Sequence, residues 1–268
     1  MRRPGLVASD VDGTLLDAME QVSQRTARVA GRVIASGTPF VLVSGRPPRW
    51  IPRVADAVGL TGYAVCANGA VVYDIGNDRV VSAHTLDPVK LNDVVHSLER
   101  AMPGIRVAAE HPAPAGYQGT PFLTEPSYAN PWGDGENNIA SRAEVLGRTA
   151  VKLLVRHEGM TSGEMSRLAN TVLDDSVTVT FSTNRGLIEI SAPGVTKATG
   201  LAEAAALLSL DASSVIAFGD MPNDVEMLRW AGHGVAVANA HDDVLAVADE
   251  VTAPNTEDGV AQVLERWF

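Results

Sequence analysis

Leu6-Val7-Ala8-Ser9-Asp10-Val11-Asp12-Gly13-Thr14 is the stretch on which the reading of this chain turns. An apolar run ends in two carboxylates spaced two apart and then meets a Gly-Thr turn. That order places Asp10 and Asp12 at the carboxyl end of a buried strand, the edge where open α/β sheets carry their chemistry. Two residues apart on an extended strand, side chains share a face, so both carboxylates can converge on one site. Acidic residues are rarely buried without a partner. A hard cation such as Mg²⁺ is the natural partner for two convergent carboxylates. The plainer alternative is a strand end followed by an Asp-Gly turn.

The chain around this stretch has the composition of an ordinary globular protein. It has 268 residues, 46% hydrophobic and 20% charged, enough for one large domain or two smaller ones. The net charge of −11 argues against a nucleic-acid-binding surface, because phosphate backbones select basic patches. A phosphorylated substrate would therefore be drawn in by a local cation and not by the global field. The single cysteine, Cys66, lies in the apolar stretch Tyr63–Ala67 and reads as a buried structural thiol. One cysteine allows no internal disulfide, which fits a reducing cytoplasm. Asp10 interrupts the apolar run after the basic start, so no signal peptide is read there. No stretch approaches the roughly 20 apolar residues of a membrane span. A cytoplasmic protein with neither membrane nor nucleic-acid partner is expected, as a monomer or a homodimer.

Outward from the Asp pair, strand and helix patterns alternate. Residues 22–36 carry apolar positions at helical spacing, with Ser23 as N-cap and Gly37 as stop. Pro39–Val43 reads as a second buried strand, 49–58 as a helix, and Ala64–Ala67 as a third strand. A Val-rich hairpin follows around Asp78. Such alternation implies a parallel, helix-flanked sheet. The middle differs: 88–101 reads as a helix, and 110–138 as a long Pro- and Gly-rich loop, a type often functional. A strand resumes at Val151–Val155 and a helix at 162–174. A hairpin then runs over 177–183 and 186–191, and strand-helix alternation returns from 197, with a buried strand at Val215–Phe218. The fold expected is α/β: a Rossmann-like parallel-sheet core built from residues 1–85 and 188–268, with an α/β domain inserted over 86–187.

Four clusters can carry chemistry, each at a predicted strand end or helix start. The first is Asp10 with Asp12. Ser44-Gly45-Arg46, the second, offers a hydroxyl and an unencumbered N–H that could cradle phosphate oxygens, or is an ordinary strand-to-helix turn. The third, Lys197, is one of only three lysines among 21 basic residues and opens a helix whose dipole it opposes. The fourth, Gly219-Asp220-Met221-Pro222-Asn223-Asp224, supplies two carboxylates that could complete a cation site with Asp10. Asn223 or Asp224 could equally be a helix N-cap. The six histidines show no metal spacing; His233 reads as a turn residue, and His111 is the one to test for substrate contact.

In this order and spacing the clusters resemble the haloacid dehalogenase superfamily of phosphohydrolases, with Asp10–Thr14, Ser44, Lys197 and Gly219–Asp224 matching its four motifs. Ala67-Asn68-Gly69-Ala70, Leu187–Ile190, Gly232–Val237, Asn239-Ala240 and Asn255–Val260 resemble the Cof-type branch, whose large α/β cap lies between the second and third motifs. One departure is Ala198, where the branch usually has glycine. The resemblance implies a Mg²⁺-dependent phosphatase of small phosphorylated metabolites: sugar phosphates, phosphorylated cofactors or a nucleotide. It implies Asp10 as the nucleophile that becomes an aspartyl-phosphate, and Asp12 as general acid and then base. It further implies Ser44, Gly45, Lys197 and Asn223 on the phosphoryl oxygens. Asp10, the backbone carbonyl of Asp12, and Asp220 would hold Mg²⁺, with Asp224 in support. Asp12 favours ester hydrolysis over dehalogenation, because an alkoxide leaving group needs a proton. Within the cap, Tyr117, Phe122, Tyr128 and Trp132 either shape a specificity pocket or form the cap's own core. Alternatives are a phosphotransferase or phosphomutase with the same nucleophile, and a non-catalytic phospho-ligand sensor; the last would erode the nucleophile or acid, and both are intact.

Overall fold

The structure, a computed structural model, describes residues 2–113, 121–130 and 138–268. The described residues form two compact units, Met1–Ser82 with Thr196–Phe268, and Ala83–Val195.

The first unit starts with β1 (Leu6–Ser9), a tight turn over Val11–Leu15, and α1 (Gln24–Ala35). Ser23 caps α1 by accepting the N–H of Thr26, and Gly37 reverses the chain at φ 79°. β2 (Phe40–Val43), α2 (Ile51–Val58), β3 (Tyr63–Cys66), β4 (Val71–Asp74) and β5 (Arg79–Ala83) follow. The chain then passes through the second unit: α3 (Pro88–Ala101), β6 (Arg106–Glu110), β7 (Phe122–Thr124), α4 (Arg142–Leu146), β8 (Lys152–Arg156), α5 (Ser162–Val172), β9 (Thr178–Thr180) and β10 (Leu187–Ser191). It returns to the first unit through α6 (Lys197–Leu207), β11 (Val215–Gly219), α7 (Val225–Trp230), β12 (His233–Val237), α8 (Asp242–Leu245), β13 (Glu250–Thr252) and α9 (Gly259–Leu264).

The first unit is an eight-stranded sheet in the order β13-β12-β11-β1-β2-β3-β4-β5. β1 pairs in parallel with β2 on one side and β11 on the other, so the strand order reverses at β1. Such a switch point opens a crevice at the carboxyl ends of its strands. The four residues of β1 are buried, as expected of a parallel strand covered on both faces. Leu6, Ala8, Val41, Val43 and Val65 pack with Leu201, Ala204, Ala205, Met227 and Leu228 of α6 and α7. α1 packs with α2, α9 and β2.

The second unit is a five-stranded antiparallel sheet, β7-β6-β8-β10-β9, with α3, α4 and α5 packed beside it. Three sequence expectations change here. The segment 110–138 is not one loop: Phe122–Thr124 is a strand whose partner is β6, a pairing that local patterning does not encode. The boundary expected at 187/188 moves to 195, because β10 pairs with β8 and β9, and the first boundary falls after Ser82. His233 begins β12 and its Nε2 pairs with Glu250 at 3.0 Å, so it is not a turn residue. Tyr117 and Trp132 lie outside the described residues.

Candidate active site

Asp10 follows β1 directly, where its N–H bonds to Phe218 O of β11. Gly13 then turns at φ 80°, and a Cβ there would lie 2.3 Å from Oδ2 of Asp220, so no larger residue fits. The turn is braced from the far end of the chain. Nδ2 of Asn239 donates to Gly13 O at 2.9 Å, and Nδ2 of Asn255 donates to Leu16 O at 2.8 Å.

Four charged groups converge behind this turn. Lys197 is 1% exposed, and its Nζ donates to Asp10 Oδ1 at 2.5 Å and to Asp224 Oδ1 at 2.6 Å. These two contacts explain a lysine on the first residue of α6, against the helix dipole. α6 comes this close to the strands through glycines. A Cβ on Gly200 would lie 2.7 Å from Gly69 Cα, and one on Gly69 would lie 1.9 Å from Thr196 O. Asp224 Oδ2 accepts the N–H groups of Asp220 and Met221, so its carboxylate orders the loop after β11 and does not cap α7. Thr14 donates to Asp220 Oδ1 at 3.1 Å.

Asp10, Asp220 and Asp224 are all buried, and each offers an oxygen within 4.8 Å of the others. Burial raises the Asp10 pKa well above the usual carboxylate range; Lys197 opposes this, and Asp224, Asp220 and Asp12 add to it. Asp220 is pushed up to about 7 by burial and by Asp224, against Lys197 and the Thr14 bond. Burial works against the charge on Lys197, but Asp10 and Asp224 outweigh it and raise its pKa. One ammonium faces three carboxylates, and Asp10 Oδ2 is buried with no hydrogen-bond partner among the described residues. An all-oxygen donor set with uncompensated negative charge fits a hard divalent cation.

The Asp12 carboxylate is elsewhere. It is half-exposed and gripped by Arg46, whose Nε and Nη2 donate at 2.9 and 2.5 Å. Arg46 was part of the Ser44-Gly45-Arg46 cluster, but sequence reading gave it no role. Its contact with Asp12 spans 34 residues and follows only from the pairing of β1 with β2. Ser44 is fully buried, and its Oγ accepts the Arg46 N–H, which leaves the hydroxyl hydrogen free to donate. Nδ2 of Asn223 donates to Oδ1 of Asn68 at 3.0 Å, and Asn68 Nδ2 remains a buried donor without a partner. Asn68, held at φ 58°, is thus a second residue at the site to which the sequence assigned no task. Thus Lys197 joins Asp10 to Asp224, Asp220 lies beside them, and Asp12 reaches Arg46 alone among charged groups within normal hydrogen-bond distance.

A family model for haloacid dehalogenase-like hydrolases matches residues 7–264. The chain belongs to that family. It is a haloacid dehalogenase-type phosphatase, a phosphoric monoester hydrolase. Its sequence is 31% identical to the 5-amino-6-(5-phospho-D-ribitylamino)uracil phosphatase YitU of Bacillus subtilis, over 99% of this chain and 98% of the relative. It is 26% identical to the pyridoxal phosphate phosphatase YbhA of Escherichia coli, over 97% of each. Among solved structures, a haloacid dehalogenase-like hydrolase from B. subtilis superposes with a TM-score of 0.81 at 24% identity, covering 98% of this chain and 100% of that one.

In the second unit of this phosphatase the structure decides between the two readings of Phe122 and Tyr128. Phe122 and Tyr128 are buried with Ala108, Leu154 and Leu187, their rings edge-to-face at 6.5 Å, so they form core and not an open pocket. His111 is buried and donates from Nδ1 to Thr149 O at 2.8 Å, because a carbonyl can only accept. Its Nε2 has no partner, and burial lowers the ring's pKa.

Proposed function

We propose that this phosphatase hydrolyses a small phosphorylated metabolite, in a Mg²⁺-dependent reaction, through an aspartyl-phosphate on Asp10. The observation that carries the proposal is the divided state of the Asp10 carboxylate: Oδ1 is held by Lys197, while Oδ2 is buried and unpartnered among Asp220 and Asp224. Asp10, the carbonyl of Asp12, and Asp220 would hold the cation, with Asp224 in support. When bound, Mg²⁺ offsets the repulsion between a carboxylate nucleophile and a phosphate ester.

The chain's own residues perform the remaining steps. A carboxylate oxygen of Asp10 attacks phosphorus, the bond to the leaving oxygen breaks, and protonated Asp12 delivers its proton to that oxygen. The ionised Asp12 then takes a proton from water, whose oxygen attacks the same phosphorus. Asp10 departs as the carboxylate, and inorganic phosphate is released. Arg46 holds the Asp12 carboxylate in place through two donors. Ser44, Gly45, Lys197 and Asn223 hold the phosphoryl oxygens, and the free Nδ2 of Asn68 adds a donor. Lys197 also compensates the charge that grows in transfer. Residues 83–195 act as the domain that sets which phosphate ester is accepted. Relatives named for ribitylaminouracil phosphate and pyridoxal phosphate support phosphorylated cofactors and their precursors as the first substrates to try.

The test is phosphate release from p-nitrophenyl phosphate and a panel of metabolite phosphates, with Mg²⁺ or EDTA, for wild type and Asp10→Asn. Turnover that requires both the metal and Asp10 is the expected result. Turnover unaffected by EDTA, or retained by Asp10→Asn, would overturn the mechanism. Transfer of the phosphoryl group to an added alcohol in preference to water would make the enzyme a transferase.

A further inference from the structure

The second unit carries a feature that phosphate ester hydrolysis does not explain. Arg106 of β6 and Arg156 of β8 are directly opposite each other in the antiparallel register. Like charges in such a cross-strand pair repel, and a sheet usually avoids them or places a carboxylate between them. Among the described residues there is none. Within that set Arg106 Nη1 bonds only to Ile105 O at 2.9 Å, Arg156 Nη2 bonds only to Arg185 O at 3.3 Å, and Nε of Arg156 is buried with no hydrogen-bond partner. A buried donor left unmade costs about 1–3 kcal/mol, more for a charged group.

Both arginines line a cleft of about 390 Å³, with Ser127, His157, Glu158 and Gly159 on its walls. His157 cannot answer the positive charge. Its Nδ1 accepts the Gly159 N–H at 3.1 Å and its Nε2 bonds to Pro103 O at 3.2 Å, so both ring nitrogens are engaged with backbone. Glu158 makes no hydrogen bond or ion pair with either guanidinium. The guanidinium of Arg156 is already oriented by its bond to the Arg185 carbonyl. A paired, oriented and unsatisfied set of guanidinium donors is what a phosphate or carboxylate binds through two parallel bonds. The cleft volume falls in the range of small-molecule sites.

We propose that the Arg106–Arg156 cleft of the second unit is an anion site that binds a small metabolite through a phosphoryl or carboxylate group. The chain is strongly acidic overall, so this local cationic pair must draw the ligand in by itself.

Arginine side-chain NMR on the full chain labelled with ¹⁵N-arginine tests the site. The Arg156 Nε–H signal is identified by its loss in Arg156→Lys. It is then followed, without Mg²⁺, as inorganic phosphate or malonate is added, and the Arg46 signal reports separately on the catalytic centre. The expected result is a saturable shift of the Arg156 signal whose midpoint rises ~10-fold in Arg106→Gln, the loss of one charge-assisted contact. Arg106 is exposed, so this variant keeps the fold, which its thermal melt verifies. A shift with phosphate alone identifies a phosphoryl ligand, and a shift with both anions an oxyanion site in general. An Arg156 signal that moves with neither anion, or that saturates at the same midpoint in Arg106→Gln, would overturn the site.

Discussion

Asp10 is a carboxylate that the fold holds at a disadvantage. It is buried beside two other acids, and its pKa is raised primarily by that burial. The neutral isostere in Asp10→Asn removes the repulsion and keeps an oxygen for Lys197. The metal-free variant should melt no lower than wild type while losing ~10³-fold or more in kcat, as nucleophile variants do. A melting temperature several degrees lower would mean that the carboxylate is structural. Gly13 makes the opposite prediction. An alanine there must adopt φ 80° and press its Cβ on Asp220 Oδ2, so Gly13→Ala should lose at least ~1 kcal/mol of stability in urea unfolding, together with activity. Arg46→Gln separates positioning from chemistry. It frees Asp12 without removing a contact of the cluster around Lys197, so kcat should fall several-fold while the melting temperature holds. An unchanged kcat would leave Arg46 with no part in catalysis. Asp10, Ser44 and Lys197 could be singled out in the sequence because each directly follows a strand or opens a helix; Asp12 could too, but the turn after β1 carries its carboxylate to Arg46 and not onto the face of Asp10. Arg46 and Asn68 could not, because their partners are defined only when separate strands lie side by side.

Elements were legible in proportion to how local their determinants are. α1 and α3 carry their own caps, Ser23 accepting from Thr26 and Asp87 from Lys90; Ser23 was readable as the start of α1, and α3 occupies the 88–101 helix its spacing gives. The β9–β10 hairpin is local and its spacing shows in the sequence, whereas the three-residue β7 lies in a Pro- and Gly-rich stretch and is fixed by its pairing with β6. β10 shows the limit. Its alternation identifies a strand, but nothing in Leu187–Ser191 says which sheet it joins; pairing with Leu153–Arg156 decides that. His111, just past β6, offers a test at this scale. Burial lowers its pKa from 6.5, against the bond to Thr149, with Arg148 adding to the depression. The unfolded chain therefore takes up a proton near pH 6.5 that the folded chain refuses, so stability falls as pH drops through 6.5 toward the folded value. Above pH 7 the group contributes no pH dependence. Each unit of depression corresponds to about 1.4 kcal/mol. His111→Asn keeps a donor for Thr149 O but cannot titrate, so its melting temperature should change less than that of wild type between pH 7 and 5. Parallel curves would show that the ring protonates freely where it lies.

At the scale of the whole molecule, a central sheet is assembled from both ends of the chain. β1 to β5 come from the first 83 residues and β11 to β13 from the last 54, and β1 cannot be covered on both edges until β11 arrives. The sequence shows an interruption there because the motifs resume after it, at Lys197, but it puts β10 on the wrong side of the second boundary. It could not name the metabolite, since no local pattern between residues 83 and 195 encodes the shape of a leaving group. Asp10, Asp12, Ser44, Lys197, Asp220 and Asp224 all belong to the first unit. Within that unit the Ser82 hydroxyl donates to Glu203 Oε2 at 2.8 Å, which sets the end of the first segment beside α6, the helix that Lys197 opens. Replacing 83–195 by a short Gly-Ser linker should therefore leave a core with all its strand pairings and its own apolar interior, able to fold alone. If the second unit selects the leaving group and the first performs the chemistry, the excised core should still release phosphate from p-nitrophenyl phosphate in a Mg²⁺- and Asp10-dependent manner. Its kcat/KM values should flatten across a panel of metabolite phosphates that the full chain distinguishes. A folded core with no activity on any ester would instead mean that residues between 83 and 195 take part in the transfer itself, by contact or by excluding water from it.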